Sequence, residues 1–541
     1  MKFHKLFRAG RIPLLMMFVT ILTCSSGWAA TYYVDPNGND TSGNGSQTYP
    51  WKSLSNACAK VTGSGNTISI NPGTYTDNNR CNLAFGVNIQ GAGISSTTII
   101  TSYNGGVESG YIYRAQSQTN PVPHGNNDIS GFTLDGNNKT ASGGIWIRGS
   151  DTINIHDMKI MNMKIRAIGL GGYGFGTDYA TLTMNQPVAY GIGYNLYNLT
   201  IDNTTETTTS TTSDRLGAID LLGVANVTFH DSTINENYAN SGTGVKAVPG
   251  WLKNFKMYNV TFTMYPSHTD NFVIETYNFT SDSEIYNCTF NHLISLNGGI
   301  TTLNAGSSWN LKIHDNVFTY GYSGTSGNEF SHNWLDVYNN YFYGYPAPTA
   351  GLWSTNYLTG SGVSHWRFRN NVVYNCADGV YLVRGANSYV EIYNNVFDTM
   401  NAKPWGGSGI DAAGFSGTLS GAKIQNNLIM NTVSAPISIG SNLTNTLVDH
   451  NWFYNDGNSN NISNSGASTT QTNNVKGVLP GINLSGTRPD PYYRPSSATS
   501  NVVDAGINVG LPYSGTAPPV GAYEYFSTTP VLNAPTNLKA N

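Results

Sequence analysis

The feature that most limits the fold of this chain is a six-residue pattern, apolar-x-Asn/Asp-x-x-apolar, that recurs along most of its length. The twelve copies begin at Ile129, Ile155, Leu196, Phe229, Met257, Ile285, Ile313, Val337, Phe368, Ile392, Ile424 and Val448. Successive copies start 24 to 41 residues apart, so the spacing has a lower limit and varies only upward from it. A fixed unit with loops of variable length is typical of a solenoid.

The composition of the repeated unit predicts strands. Its copies are rich in Val, Ile, Phe, Tyr and Thr, and Gly or Asn clusters interrupt each unit. A rung of this length suits three short strands and three turns, so we expect an all-β, right-handed parallel β-helix. The third motif position is Asn or Asp in ten copies, with Gly131 and His450 as exceptions. Because Asn tolerates left-handed backbone and its amide can bond to neighbouring rungs, this position predicts an asparagine ladder.

Charge argues against two classes of partner. Only 11% of the residues are charged and the net charge is −4, so the sequence has no basic footprint for nucleic acid. Beyond the N terminus, no apolar run is long enough to span a membrane. At the N terminus, basic residues precede the apolar stretch Ile12 to Leu22, and cleavage is expected after Ala29. We therefore expect a secreted protein, extracellular or at the cell surface, with the periplasm as an alternative.

A helical pattern and the cysteine positions predict how the ends of the solenoid are covered. Residues 51–61 have apolar side chains at helical spacing, and such a helix would cover the open edge of the first rung. Cys58 and Cys81 are close enough to form a disulfide in an oxidising compartment, whereas Cys288 and Cys376 lie three motif copies apart and are expected to be buried thiols. We expect residues 490–525 to close the far end.

These signals divide the chain into five segments. Residues 1–29 form the signal peptide, 30–125 the N-terminal cap and first rungs, and 126–455 the β-helix core. Residues 456–526 form a C-terminal rung and cap segment, and 527–541 a flexible tail. We expect a monomer.

Several segments resemble a known group of proteins. The stretch TYYVDPNGNDTSGNG from Thr31, Pro50-Trp51 and ISINPGTY from Ile68 are similar to the entry cap of secreted pectate-lyase-like β-helix proteins. NVVDAG from Asn501 and VGAYEY from Val520 resemble their closing segment. The resemblance implies an extracellular carbohydrate-active protein with a polysaccharide partner, but that fold hosts lyases, hydrolases, epimerases and inert surface proteins alike. No catalytic set of that group is matched here.

The strands between the motifs contain the strongest chemical signal. Aligned by their distance to the next motif, AIDLLG, GVKAVPG and VIETYN place Asp220, Lys246 and Glu275 at one outward position on consecutive rungs. At one strand spacing per rung, Lys246 lies between two carboxylates about 9.6 Å apart. An ion-pair ladder without any substrate is the structural alternative.

Two reactions fit such a row, and the resemblance to pectate-lyase-like proteins places a polysaccharide lyase first. In a lyase acting on a uronate-containing glycan, Lys246 would be the base, although two flanking carboxylates favour its charged form. In an inverting glycoside hydrolase, Glu275 would protonate the leaving oxygen while Asp220 activates water. A non-catalytic glycan-binding or structural surface protein is the third alternative.

Neighbouring segments add candidates for the same groove. His268 and Tyr265 are candidate proton donors or acceptors, and with Asp270 they precede Glu275 in one insert. In the longest gap between motifs, Arg215 would pair with a uronate carboxylate. The aromatic residues Trp146 and Trp251 are candidates for sugar binding. No cofactor is predicted, and calcium at Asp35 to Asp40 is a weaker alternative.

Overall fold

The structure, a computed structural model, describes residues 29–106, 109–115, 125–137, 143–172, 189–204, 217–236, 243–247, 252–264, 273–276, 282–292, 294–296, 311–320, 328–330, 334–344, 356–359, 365–401, 406–457, 461–464 and 468–526. Within these residues the chain forms 42 strands and one helix. Every pairing between named strands is parallel, and each strand pairs with its equivalents in the rungs before and after it. The predicted parallel β-helix is therefore confirmed.

Each rung contributes to three strand ladders, which we call the first, second and third faces. The first face contains the motif starts: β1 (Thr31–Val34), β2 (Thr67–Ile70), β5 (Asn88–Gly91), β8 (Asn127–Ser130), β11 (Ile153–Met161), β13 (Gly191–Asp202), β15 (Val224–Glu236), β17 (Leu252–Met264), β19 (Ser283–Tyr286), β22 (Leu311–His314), β25 (Leu335–Tyr338), β28 (His365–Arg369), β30 (Val380–Tyr393), β34 (Lys423–Gln425), β38 (Leu447–Asp449) and β41 (Thr470–Thr472). Strands β11, β13, β15 and β17 run on into the second face.

The second face follows the motif turn. Its other strands are β3 (Gly73–Thr76), β6 (Thr97–Ile100), β9 (Thr133–Asp135), β20 (Thr289–Phe290), β23 (Val317–Tyr320), β26 (Tyr341–Gly344), β29 (Val372–Tyr374), β31 (Val396–Asp398), β35 (Leu428–Met430), β39 (Trp452–Tyr454) and β42 (Val475–Lys476).

The third face lies between successive motifs and carries the residues singled out for catalysis. Its strands are β4 (Cys81–Asn82), β7 (Gly110–Ala115), β10 (Gly143–Arg148), β12 (Ile168–Gly171), β14 (Gly217–Leu222), β16 (Thr243–Ala247), β18 (Ile274–Thr276), β21 (Ile294–Leu296), β24 (Asn328–Phe330), β27 (Asn356–Thr359), β32 (Ile410–Ala412), β36 (Ile437–Ile439) and β40 (Ile462–Asn464), and β30 joins it to the first face. Two further strands, β33 (Ser416–Ser420) and β37 (Leu443–Thr444), pair beside β30.

The apolar positions of the motif form the core. The twelve motif starts are register partners from rung to rung, and all are buried. Phe262, Phe290, Phe318 and Phe342 stack in the same way, with ring centroids 4.6 to 5.2 Å apart. Burying apolar area is the main stabilising contribution in such a stack, and it explains why the motif tolerates loop insertions but not a change in its own length.

The third motif position makes the turn that the sequence predicts. In all twelve copies this residue has φ between 50° and 81°. The continuous ladder, however, belongs to the following position. There Asn316, Asn340, Asn371, Asn395, Asn427, Asn451 and Asn474 form a buried or part-buried series in which each Oδ1 accepts from the backbone N–H and side-chain amide of the preceding member. At the third position itself, side-chain hydrogen bonds between rungs join isolated pairs among the described residues; for example, the Asn259 amide donates to Asp231.

The N-terminal cap agrees with the prediction in its main parts. Helix α1 (Leu54–Lys60) begins after Ser53, whose side chain accepts a hydrogen bond from the Asn56 N–H. Cys58 on this helix forms a disulfide with Cys81 on β4, with the Cα atoms 5.3 Å apart. The helix is thereby tied to the start of the third face. Cys288 and Cys376 are buried thiols.

The C-terminal segment packs along the side of the last rungs. Ile482, Tyr493, Val502 and Val520 pack against Val372, Val396, Leu428 and Trp452 of the second face. Pro519 and Ile507 also hydrogen-bond to Asn394 and Asn426 at the motif turns. The segment therefore lies along the flank of the last rungs, because the second-face strands there present apolar side chains outward that need covering. Closure of the far end by this segment stays a prediction. No described helix is long and apolar enough to cross a membrane.

Candidate functional site

One line of residues on the outer side of the third face contains the predicted catalytic groups, and we call it the outward row. From β7 to β36 its members, linked by strand register, are Tyr113, Trp146, Gly169, Asp220, Lys246, Glu275, Ser295, Glu329, Tyr357, Tyr381, Asp411 and Ser438. The residues alternating with them, such as Ile219 and Val245, belong to the core. Asp220, Lys246 and Glu275 therefore share one position on three consecutive rungs.

Asp220 is held by a residue that the sequence alignment missed. Arg166, two residues before β12, donates from Nε to Asp220 Oδ2 at 2.6 Å, and the Gly217 N–H donates to Oδ1 at 2.8 Å. Both side chains are buried. Burial raises the pKa of the Asp220 carboxyl, and the Arg166 charge and the Gly217 hydrogen bond act in the opposite direction. Asp220 is thus enclosed and already paired, so it is not open to a water nucleophile in this state.

Lys246 forms the next link in the row. Its side chain is 1% exposed, and Nζ lies 2.7 Å from Glu275 Oε2. The side chain of Glu275 is 19% exposed, more than that of Asp220 or Lys246. Glu275 is consequently the group among the three that solvent or a substrate reaches first.

Trp146 lies deeper than its outward position implies. Its indole extends over Gly169, where an added Cβ would overlap the ring, and the guanidinium of Arg166 is 4.4 Å from the ring centroid. Tyr113, Tyr190 and Leu222 pack around it, which leaves Trp146 2% exposed. An indole at this depth supports Arg166 through packing and a cation–π contact, and a direct role in sugar binding stays a prediction.

Five other sequence candidates lie outside the described residues. They are Arg215, Trp251, Tyr265, His268 and Asp270. Their roles stay predictions.

The described residues provide no ready metal site. No group of three or more His, Cys, Asp or Glu side chains among them is arranged to hold a metal ion. In the segment considered for calcium, Asp35 accepts from the Asn37 N–H and the Asn71 amide, and Asp40 accepts from residues 52 and 53. These hydrogen bonds account for the carboxylates as turn-forming groups, and calcium binding stays a prediction.

The first face has its own row of rings, which is unsuited to sugar stacking. His156, Tyr197, His230, Tyr258, Tyr286, His314 and Tyr338 stack on consecutive rungs with centroids 4.5 to 5.2 Å apart. The rings lie within 15° of parallel, so neighbouring rings cover each other's faces. A sugar binds against the face of an aromatic ring, and here only the edges are available.

Comparison with known proteins gives similarity in structure alone. No family model matches the chain, and no curated protein matches it. Among solved structures, pectate lyase Pel9A is 14% identical, with 92% of this chain and 96% of that chain covered and a TM-score of 0.28. The A-module of the Azotobacter vinelandii mannuronan C-5 epimerase AlgE6 is 12% identical, with 79% and 93% covered and a TM-score of 0.35.

A third similar structure is the tailspike protein of E. coli bacteriophage HK620 in complex with a pentasaccharide. It is 11% identical, with 80% of this chain and 77% of that chain covered and a TM-score of 0.45. Values this low carry no argument about activity. The strand pairing itself establishes the parallel β-helix that the pectate-lyase-like resemblance implied.

Proposed function

We propose that this protein is an extracellular glycan-cleaving enzyme, a hydrolase, whose substrate lies along the outward row of the third face. The observation that carries the proposal is the order of residues in that row. Charged residues occupy three consecutive central strands, the partly exposed Tyr113 precedes them and the partly exposed Tyr381 follows. Sugar sites combine aromatic surface with a few fixed polar groups, and an axial row offers both to an extended chain.

Hydrolysis fits the ion pairs better than elimination does. A lysine base must be uncharged to accept a proton, but Lys246 Nζ is 2.7 Å from the Glu275 carboxylate and Asp220 lies on the other neighbouring strand. To take a proton from a substrate, Nζ would have to give up its contact with Glu275. Glu275, in contrast, is partly exposed and can reach a water molecule while it keeps this contact.

The charges of the row favour a neutral glycan. Arg166 and Lys246 contribute two basic side chains, whereas Asp220, Glu275, Glu329 and Asp411 contribute four acidic ones. A uronate-rich chain would bring further negative charge to a row that is not positive overall. A neutral polysaccharide avoids that repulsion.

A substrate panel tests this function. The purified chain without residues 1–29 is incubated with neutral and uronate-rich polysaccharides, and new reducing ends and the ultraviolet absorbance of unsaturated uronates are followed together. We expect reducing ends to rise on a neutral polysaccharide without the absorbance change. A rise of both signals on a uronate-rich polysaccharide would replace hydrolysis by elimination. No cleavage in the whole panel would refute the proposed enzyme.

A further inference from the structure

The outward row contains a further glutamate two strands beyond Glu275. Glu275 on β18 is the register partner of Ser295 on β21, and Ser295 is the partner of Glu329 on β24. In β24, Asn328 and Phe330 are buried and Phe330 belongs to the core, so Glu329 between them lies on the outer side, where it is partly exposed. Both glutamates therefore belong to one face and one line.

The spacing of the two glutamates suits a particular reaction. Two strand spacings place their backbone positions about 9.6 Å apart, and carboxyl groups of inverting glycosidases are roughly 6.5 to 9.5 Å apart. The Glu329 side chain is long enough to shorten that separation by leaning toward Glu275. The position between them in the row is that of Ser295.

Lys246 determines which glutamate takes which role. Its strand lies on the side of Glu275 away from Glu329, and its Nζ is 2.7 Å from Glu275 Oε2. This contact holds Glu275 in place while its side chain stays partly exposed, so we assign it the base that takes a proton from water. The acid is then left to Glu329, which adjoins Tyr357 in the row. The part of the row beyond Glu329 would bind the sugar that leaves.

On the basis of the proposed function, we propose that Glu329 is the general acid of an inverting glycoside hydrolase in which Glu275 is the base. Glu275 takes a proton from water as the water oxygen bonds to the anomeric carbon. The glycosidic C–O bond breaks, its electron pair stays on the leaving oxygen, and the proton of Glu329 passes to that oxygen. Proton exchange with solvent restores both groups, and no other reactant is required. Asp220, enclosed by Arg166, has no part in proton transfer.

Variants of the two glutamates test this assignment on whichever polysaccharide the wild-type protein cleaves. We expect Glu329→Gln to lower kcat on the polysaccharide about 100- to 10,000-fold. The same variant should retain most activity on the glycosyl fluoride of the same sugar, because fluoride leaves without protonation. Glu275→Gln should lose activity on both substrates, since each needs an activated water.

A matched control and a product measurement complete the test. Glu284→Gln makes the same change at a partly exposed glutamate on the first face and should keep wild-type rates. Proton NMR of the first product formed by the wild-type protein should show the inverted anomer, a result that does not depend on the folding of any variant. An unchanged rate for Glu329→Gln, or a retained anomer, overturns the role of Glu329 while the proposed function stands. Absence of cleavage by the wild-type protein overturns both.

Discussion

Arg166 Nε lies 2.6 Å from Asp220 Oδ2, and both side chains are buried on the outer side of the β-helix. The guanidinium also lies against the indole of Trp146. Two opposite charges removed from water in this way stabilise each other, but each depends on its partner. The pair fixes the N-terminal end of the charged part of the row, next to Lys246.

Breaking this pair should destabilise the protein strongly. Arg166→Met and Asp220→Asn each leave one buried group without its partner, and we expect each to lower the free energy of unfolding by about 3 to 5 kcal/mol. The double variant should lose less than the sum of the two. Chemical denaturation of the three variants measures this coupling, and strictly additive losses would show that the two side chains do not act as a pair.

The close contact between Gly169 on β12 and the Trp146 ring should also affect stability. Gly169→Ala places a methyl group against the Trp146 ring, with Arg166 Cδ 3.0 Å away, so we expect a loss of about 1 to 3 kcal/mol from overpacking. In a Trp146→Leu background the same substitution should cost clearly less, because the ring is gone. Thermal unfolding of the four proteins tests the contact, and an equal cost in both backgrounds would contradict it.

The asparagine ladder should be sensitive to a single break. Asn395 donates to Phe368 O and to Asn427 Oδ1, and it accepts from Asn371. We expect Asn395→Ala to lower the free energy of unfolding by about 1 to 3 kcal/mol, because the buried groups of Phe368, Asn371 and Asn427 that bind Asn395 lose these hydrogen bonds. The control is Asn287→Asp at a motif turn, where Asp serves in other copies; a similar loss in that control would argue against a special role for the ladder.

Asp378 should make stability depend on pH. Burial raises the pKa of its carboxyl to about 7, with Asp411 nearby adding to the effect. The folded state therefore binds this proton more tightly than the unfolded state, so the contribution is stabilising below about pH 4 and is lost as the pH rises through about 7.

The variant Asp378→Asn should remove that loss. An asparagine Oδ1 can still accept from the Ser408 N–H, which Asp378 binds at 2.9 Å. We expect its melting temperature to exceed that of the wild-type protein at pH 8 and to differ little at pH 4. Equal pH profiles for the two proteins would mean that Asp378 does not titrate in this range.

The fold could be predicted because the motif combines two independent constraints. Its apolar first position, from Ile129 to Val448, stacks in register in every copy, and its third position takes left-handed backbone. Both follow from short-range chemistry that each copy repeats. The place of the C-terminal segment could not be predicted, because its apolar residues do not specify whether an end or a flank receives them.

The sequence predicted that three charged residues share one position on consecutive rungs, but it did not predict the side chains that contact them. The distance to the next motif identified Asp220, Lys246 and Glu275. Glu329 lies only 8 residues before the motif start Val337, a shorter distance than for the other three, and the alignment did not include it. Arg166 lies before its strand and reaches past Gly169 to Asp220, a contact across rungs that strand alternation does not describe. The burial of Trp146 likewise depends on a glycine in the following rung.

The most direct test of the account compares the wild-type protein, Glu275→Gln and Glu284→Gln in initial rates of glycan cleavage. Glu284→Gln should melt within a few degrees of the wild type, because Glu284 lies in a partly exposed ion pair. Glu275→Gln leaves the buried Lys246 without this carboxylate and should melt at a lower temperature, so the rates are compared at a temperature at which all three proteins are folded. We predict that Glu275→Gln loses at least about 100-fold in kcat while Glu284→Gln stays at the wild-type rate. A folded Glu275→Gln protein that cleaves glycan as fast as the wild type would contradict an active site on the outward row.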